Sequence, residues 1–175
     1  RHLLSLALVL ALVFGLAPAA SALEVAPGGE LPVVAPGTDV TLKIGVVGWP
    51  FIADYETNYF TKWLEDRTGV KLDFVVYPSD ATAEKVMLEL NSGDVGSLPD
   101  IYLTLNMSAT NQIFSASNAP TWYDAGMIIP LNELIEKYGT NLNASLELAK
   151  GYGYDILPWM TSSDGNIYSL PAFSA

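Results

Sequence analysis

Five segments between Thr41 and Leu105 decide the fold: TLKIGVVG (41–48), YFTKWLEDRTG (59–69), VKLDFVVY (70–77), ATAEKVMLELNSG (81–93) and PDIYLTL (99–105). In the first, Leu42, Ile44 and Val46 alternate with Thr41 and Lys43 and the run stops at Gly48, a period of two rich in β-branched residues that predicts a strand. The second predicts a helix from about Glu56 to Arg67, with Tyr59, Phe60, Trp63 and Leu64 on one face and Gly69 as its stop. The third is again a strand, with Val70, Leu72, Phe74 and Val76 on one side. Pro78 and Ser79 end it, and Asp80 is placed to cap a helix whose inward stripe is Ala83, Val86, Met87 and Leu90, closed by Gly93. Pro99 and Asp100 open a third strand over Ile101 to Leu105. Strands separated by helices of about a dozen residues make a βαβαβ unit, an α/β core with a parallel sheet and right-handed crossovers.

Residues 23–40 are rich in Pro and Gly without sustained periodicity, which predicts an extended, poorly packed tether. Residues 1–22 carry an apolar run from Leu3 to Leu16, shorter than the ~20 residues of a membrane-spanning helix. The run closes on Ala20-Ser21-Ala22, so this segment reads as an export signal peptide cleaved before Leu23. Arg1 in place of an initiating Met, and a close at Pro171 to Ala175 without a finishing element, read as a fragment. Without the leader and its Arg1, 7 basic residues face 19 acidic ones, a net charge of −12. That balance keeps an exported protein soluble and argues against nucleic acid as a partner, since phosphate neutralisation needs clustered Lys and Arg. The chain has no Cys and its single His is in the leader. No Ser-His-Asp triad, Cys nucleophile or zinc site of the usual ligand types can be built from the mature residues, and no cysteine offers an N-terminal lipid anchor. No cofactor is expected.

After the core the pattern loosens. Met107 to Asn118 suggests a short helix, Leu131 to Tyr138 has helical spacing, Asn141 and Asn143 suggest a turn before another helix, and Asp164-Gly165 is a two-residue turn between short strands.

FTKWLEDRTGVKLD (60–73), LELNSGDVGSLPDIY (88–102), MIIPLNEL (127–134) and DGNIYSLP (164–171), in this order, resemble the sugar-binding family 1 type of extracellular solute-binding protein that serves bacterial ABC importers. Residues 94–97 look like a small insertion that lengthens a surface loop. The resemblance implies a periplasmic-binding-protein-like (type II) fold of two α/β lobes closing on solute in the cleft between them. Residues 41–175 would then be the incomplete N-terminal lobe, the second lobe being absent from this chain. It further implies an exported location, periplasmic or extracellular, with cell-surface association through the permease subunits, and a carbohydrate or oligosaccharide as solute.

In open α/β sheets ligands sit beyond the carboxyl ends of the strands. That rule selects Trp49, Phe51 and Asp54 after the first strand, Ser79 and Asp80 after the second, and Asn106 and Ser108 after the third. Asp80 reads better as a helix cap and is not retained. Trp122, Tyr123 and Phe173 are added by loop position and by the resemblance. An indole such as that of Trp49 can cover the C–H face of a sugar ring, or can simply pack on the sheet end. Asn106 and Ser108 have groups suited to sugar hydroxyls, or to loop capping. Trp63, in a helical stripe, is expected in the core, and Trp159 either lines or covers the hinge. An exported carbohydrate-active enzyme working with two carboxylates is one competing reading, although the acidic side chains (Glu65, Asp66, Glu84, Glu89, Glu133, Glu136) fall mostly on helix exteriors. A sensory binding protein is the other, which the fold alone does not separate from an importer component.

Overall fold

The computed structural model describes residues 23–103 and 113–171. Strand β1 (Thr41–Val47) is central in a three-stranded parallel sheet of order β2-β1-β3, flanked by β2 (Lys71–Tyr77) and β3 (Ile101–Leu103). The register pairs Ile44 with Phe74 on one side and with Ile101 on the other. Since side chains alternate along strands, Leu42, Ile44, Val46, Leu72, Phe74, Ile101 and Leu103 share one face. Gly45, Val47, Val75, Tyr77 and Tyr102 share the other.

Helix α1 (Tyr59–Thr68) joins β1 to β2, and α2 (Thr82–Ser92) joins β2 to β3 with a 3₁₀ turn (Val95–Ser97) between α2 and β3. The expected α/β core of alternating strands and helices, with a parallel sheet, is therefore present. Both helices stop on glycines in the left-handed region, Gly69 and Gly93, a conformation that costs other residues a Cβ clash. Val86, at 1% exposure, and Leu90 carry α2 onto the second sheet face, where they pack with Tyr77, Leu98 and Ile113. Gly45 makes room there: a Cβ on it would come within 3.0 Å of both the Tyr77 and Tyr102 rings. Those rings stack with centroids 6.3 Å apart, and both phenols donate to Glu89 Oε2, at 2.6 and 3.3 Å. Burial, reinforced by that carboxylate, pushes both phenols above their ordinary range.

Several local expectations change. Asp80 does not cap α2; the helix starts two residues later from Ala81, and the Thr82 hydroxyl donates to Pro78 O at 2.7 Å. Trp63 is not a core residue but 40% exposed, stacked on Phe60 at 5.8 Å with the Arg67 guanidinium 5.1 Å from its ring. The rotation of α1 is set by its amino end instead. Asn58 Oδ1 accepts the Thr61 amide and the Thr61 hydroxyl donates to Tyr55 O, which buries Thr61 and turns Trp63 outward. Residues 94–97 lie exposed, as a surface loop would.

The Pro/Gly-rich stretch is more closely packed than an extended tether. Val34 is buried, Val25 and Val34 form an antiparallel bridge, and the amides of Val33 and Val34 both donate to Thr68 O at the end of α1. Gly69 is needed at this contact, because a Cβ there would lie 2.9 Å from Val34 O.

Among the described residues four further helices follow: α3 (Ala119–Asp124), α4 (Asn132–Tyr138), α5 (Thr140–Gly151) and α6 (Leu157–Met160). Asn141 and Asn143 lie inside α5 rather than in a turn, because the break between helices falls at Gly139, and Asn143 Nδ2 donates back to Ile135 O. The expected reversal near Asp164 is present but differs in detail: the turn is centred on Ser163 and Asp164, closed by the Gly165 amide on Ser162 O with Gly165 at φ 83°, and flanked by a single Thr161 to Ile167 antiparallel bridge rather than by strands. It docks on the start of α4 through Leu131 N–H to Ile167 O and Ile167 N–H to Asn132 Oδ1. Among the described residues no helix is long and apolar enough to cross a membrane.

Candidate functional site

The loop leaving β1 is built by its own side chains. The Tyr55 hydroxyl donates to Val47 O at 2.8 Å and accepts the Trp49 amide at 2.9 Å, so one phenol bridges the strand end and folds residues 48–55 back over it. Gly48 N–H donates to Tyr77 O, joining this loop to the end of β2. Trp49 and Phe51 stack with centroids 5.5 Å apart and 25° between their planes. Phe51 is 79% exposed and Trp49 half-buried, so the outer ring of the pair faces solvent. An exposed ring face of this kind is able to cover a flat apolar surface.

Asp54 serves the loop. Its carboxylate accepts the amides of Glu56 and Thr57 and the Thr57 hydroxyl at 2.6 Å, with the hydroxyl bond first in holding its pKa below the usual carboxylate range. A group so engaged stays ionised and fixes the entry to α1.

A second concavity, of about 460 Å³, lies against the amino-terminal half of α2, which starts from the carboxyl end of β2. Ala83, Met87 and Ile113 form its apolar part, and Glu84, Asn118 and Thr121 bring polar groups to the ring of Trp122. The Trp122 indole N–H is committed to Ile113 O at 3.0 Å, which fixes the ring. Tyr123, next in α3, is exposed and leans on Tyr168 with centroids 5.6 Å apart. Tyr168 in turn donates to Asp164 Oδ2 at 2.6 Å, the main cause of that carboxyl's lowered pKa.

The structure thus brings Trp49, Phe51 and Asp54 into one loop, and places Trp122 in a separate concavity with Tyr123 beside the Asp164 turn. Ser79 and Asp80 are exposed at the end of β2. Asn106, Ser108 and Phe173 lie outside the described residues, as does the signal peptide. Glu84, Asn118 and Thr121 were not singled out from sequence. Glu84 has the helical phase of a solvated face, and no spacing signal links it to residues more than thirty positions away. Trp159 is 84% exposed, and Tyr152 and Tyr154 are exposed as well. The described residues contain no cluster of three or more His, Cys, Asp or Glu able to hold a metal ion.

No family model matches the chain. Over 108 residues it is 39% identical to the fructooligosaccharide ABC transporter substrate-binding protein FusA of Streptococcus pneumoniae serotype 4, a match covering 62% of this chain and 17% of that protein. Two solved structures are similar, both S. pneumoniae ABC-transporter substrate-binding protein FusA: one in complex with kestose (TM-score 0.56), the other an EF-hand mutant in complex with fructo-nystose (TM-score 0.57). Each is 34% identical, and the match covers 74% of this chain and 23% of the solved one. The resemblance carried by the four sequence motifs thus meets a relative of the same kind, an ABC-transporter substrate-binding protein, in both sequence and fold. The chain spans about a sixth of the curated relative's length and under a quarter of the solved chains.

Proposed function

We propose that this chain is the amino-terminal part of an exported substrate-binding protein of an ABC importer, which captures an oligosaccharide and delivers it to the permease subunits. The observation that carries the reading is the 39% identity to a fructooligosaccharide-binding protein whose solved structures hold kestose and nystose. Fructooligosaccharides are accordingly the proposed solute class. Trp49 and Phe51 supply an aromatic platform at the carboxyl end of β1, where ligands of open α/β sheets collect. Trp122 with Glu84 and Thr121 supplies a second surface of aromatic face and polar groups, a combination suited to sugars. The protein acts by binding rather than by catalysis, a reading supported by its similarity to an ABC-transporter substrate-binding protein.

Thermal unfolding of the complete gene product, leader removed, tests this against kestose, nystose, other oligosaccharides and peptides. A ligand that binds only the native state raises Tm by mass action. Kestose or nystose is expected to raise it; no shift with any sugar, together with release of reducing sugar, would overturn the proposal in favour of an enzyme.

A further inference from the structure

The turn that presents Trp49 and Phe51 is held by few bonds of its own. Phe51 is largely exposed, and among the described residues the chain from Trp49 to Ile52 makes two hydrogen bonds. The Ile52 amide donates to Trp49 O at 3.0 Å, which closes the turn on itself. The Trp49 amide donates to the Tyr55 hydroxyl at 2.9 Å, which ties the turn to the rest of the lobe. Pro50 has no amide to add. Tyr55, by contrast, is anchored on three elements. Its hydroxyl donates to Val47 O at the end of β1 at 2.8 Å, and its ring leans on Phe74 of β2 with centroids 5.8 Å apart. Its carbonyl accepts the Thr61 hydroxyl at 2.6 Å and Asn58 Nδ2 at 2.9 Å at the start of α1, where Thr61 is buried.

We infer that Tyr55 is a positioning residue for the solute, its hydroxyl acting through the Trp49 amide to set the aromatic platform in place before a sugar arrives. This role rests on the reading of Trp49 and Phe51 as a sugar platform. The one phenolic proton goes to Val47 O and an oxygen lone pair takes the Trp49 amide, so the group is committed to the protein rather than to ligand. A loop ordered in advance gives up less conformational freedom on binding, and affinity rises accordingly. The neighbouring carboxylate does not duplicate the contact, because Asp54 is occupied by Glu56 and Thr57. Removing only the Tyr55 hydroxyl leaves the ring on Phe74 and the carbonyl on Thr61 and Asn58, and frees the turn alone.

The complete gene product, leader removed, is prepared with 5-fluorotryptophan, and the Trp49 fluorine resonance is identified by its loss in Trp49→Phe. Tyr55→Phe is compared with Val34→Ala, which opens a cavity in the buried contact at the far end of α1. Three quantities are measured: Tm without ligand, the ligand-free Trp49 resonance, and the Kd for kestose. In Tyr55→Phe the Trp49 resonance is expected to shift or broaden while the remaining tryptophan resonances stay in place. Its Kd is expected to weaken by about tenfold, the scale of one hydrogen bond left unmade. In Val34→Ala, Tm falls while the Trp49 resonance and Kd match the parent. An unmoved Trp49 resonance in Tyr55→Phe, or a Kd within about twofold of the parent, overturns the inference. So does a Tyr55→Phe protein that does not fold, since the hydroxyl would then hold the lobe rather than the loop. A parent that binds no kestose defeats the solute reading instead, and the ligand-free Trp49 resonance still decides whether Tyr55 sets the loop.

Discussion

Replacing Phe51 by Ala separates ligand binding from folding. With 79% of its surface exposed, Phe51 contributes little to the core, and its intramolecular partner is the stacked Trp49 ring. Loss of that pair costs the fold about 0.5–1.5 kcal/mol, a fall in Tm of only about 2–4 °C per kcal/mol for a protein of this size or larger. A sugar resting on one face of the ring would remove about 70 Å² of apolar surface from water, about 1.8 kcal/mol at about 25 cal/mol per Å². That corresponds to a Kd weakened about 20-fold. Isothermal titration of the complete gene product with kestose measures the affinity, and thermal unfolding without sugar measures the fold. A Kd within about twofold of the unsubstituted protein, given a binding parent, would refute the platform role. A large ligand-free loss of Tm with unchanged Kd would show that Phe51 is a packing residue covered by other parts of the protein.

Gly45→Ala is expected to destabilise by about 1–3 kcal/mol, because the new methyl meets two packed tyrosine rings; urea unfolding reads it, and a neutral result would mean the rings separate freely. Tyr77→Phe removes the 2.6 Å donor to Glu89 and should lower stability by about 1–3 kcal/mol, with less effect for Tyr102→Phe, whose bond is 3.3 Å. Stability should also fall on acidification. Asp54 is held below its ordinary pKa chiefly by the Thr57 hydroxyl, and Glu65 chiefly by the Leu72 amide, so the native state binds fewer protons than the unfolded chain. Their contribution is present above about pH 4 to 4.5 and is lost as pH falls through the depressed native values. The raised Tyr77 and Tyr102 phenols act oppositely: their contribution is full below about pH 10 and declines above it, where only the unfolded chain readily ionises. Urea midpoints from pH 3 to 11 should rise and then fall; a flat acid limb would contradict the Asp54 and Glu65 geometry.

Local pattern carried the core. The period of two in residues 41–47 and 71–77, the α2 stripe of Val86 and Leu90, and the glycine stops at 69 and 93 are consequences of backbone geometry over a few residues, which neighbouring side chains suffice to specify. The β1 loop was located by its place after a strand, but not its construction. That Asp54 is bound by residues 56 and 57, or that Tyr55 bridges Val47 and Trp49, has no periodic signature.

The sequence by itself determined the alternation of strand and helix, hence the parallel sheet and which loops leave the carboxyl ends of its strands, because those follow from periodicity and chain handedness. Tertiary structure decided which side of each element is inside. An apolar helical stripe has a spacing but no address, so Trp63 could be turned outward by the Asn58 cap and the Thr61 hydroxyl. A Pro- and Gly-rich stretch has no period at all, so only the tertiary structure could show Val34 buried against Gly69 while most of residues 23–40 stay exposed. The concavity joining Trp122 to Glu84 and Thr121 arises the same way, from helices distant in sequence meeting over one sheet face.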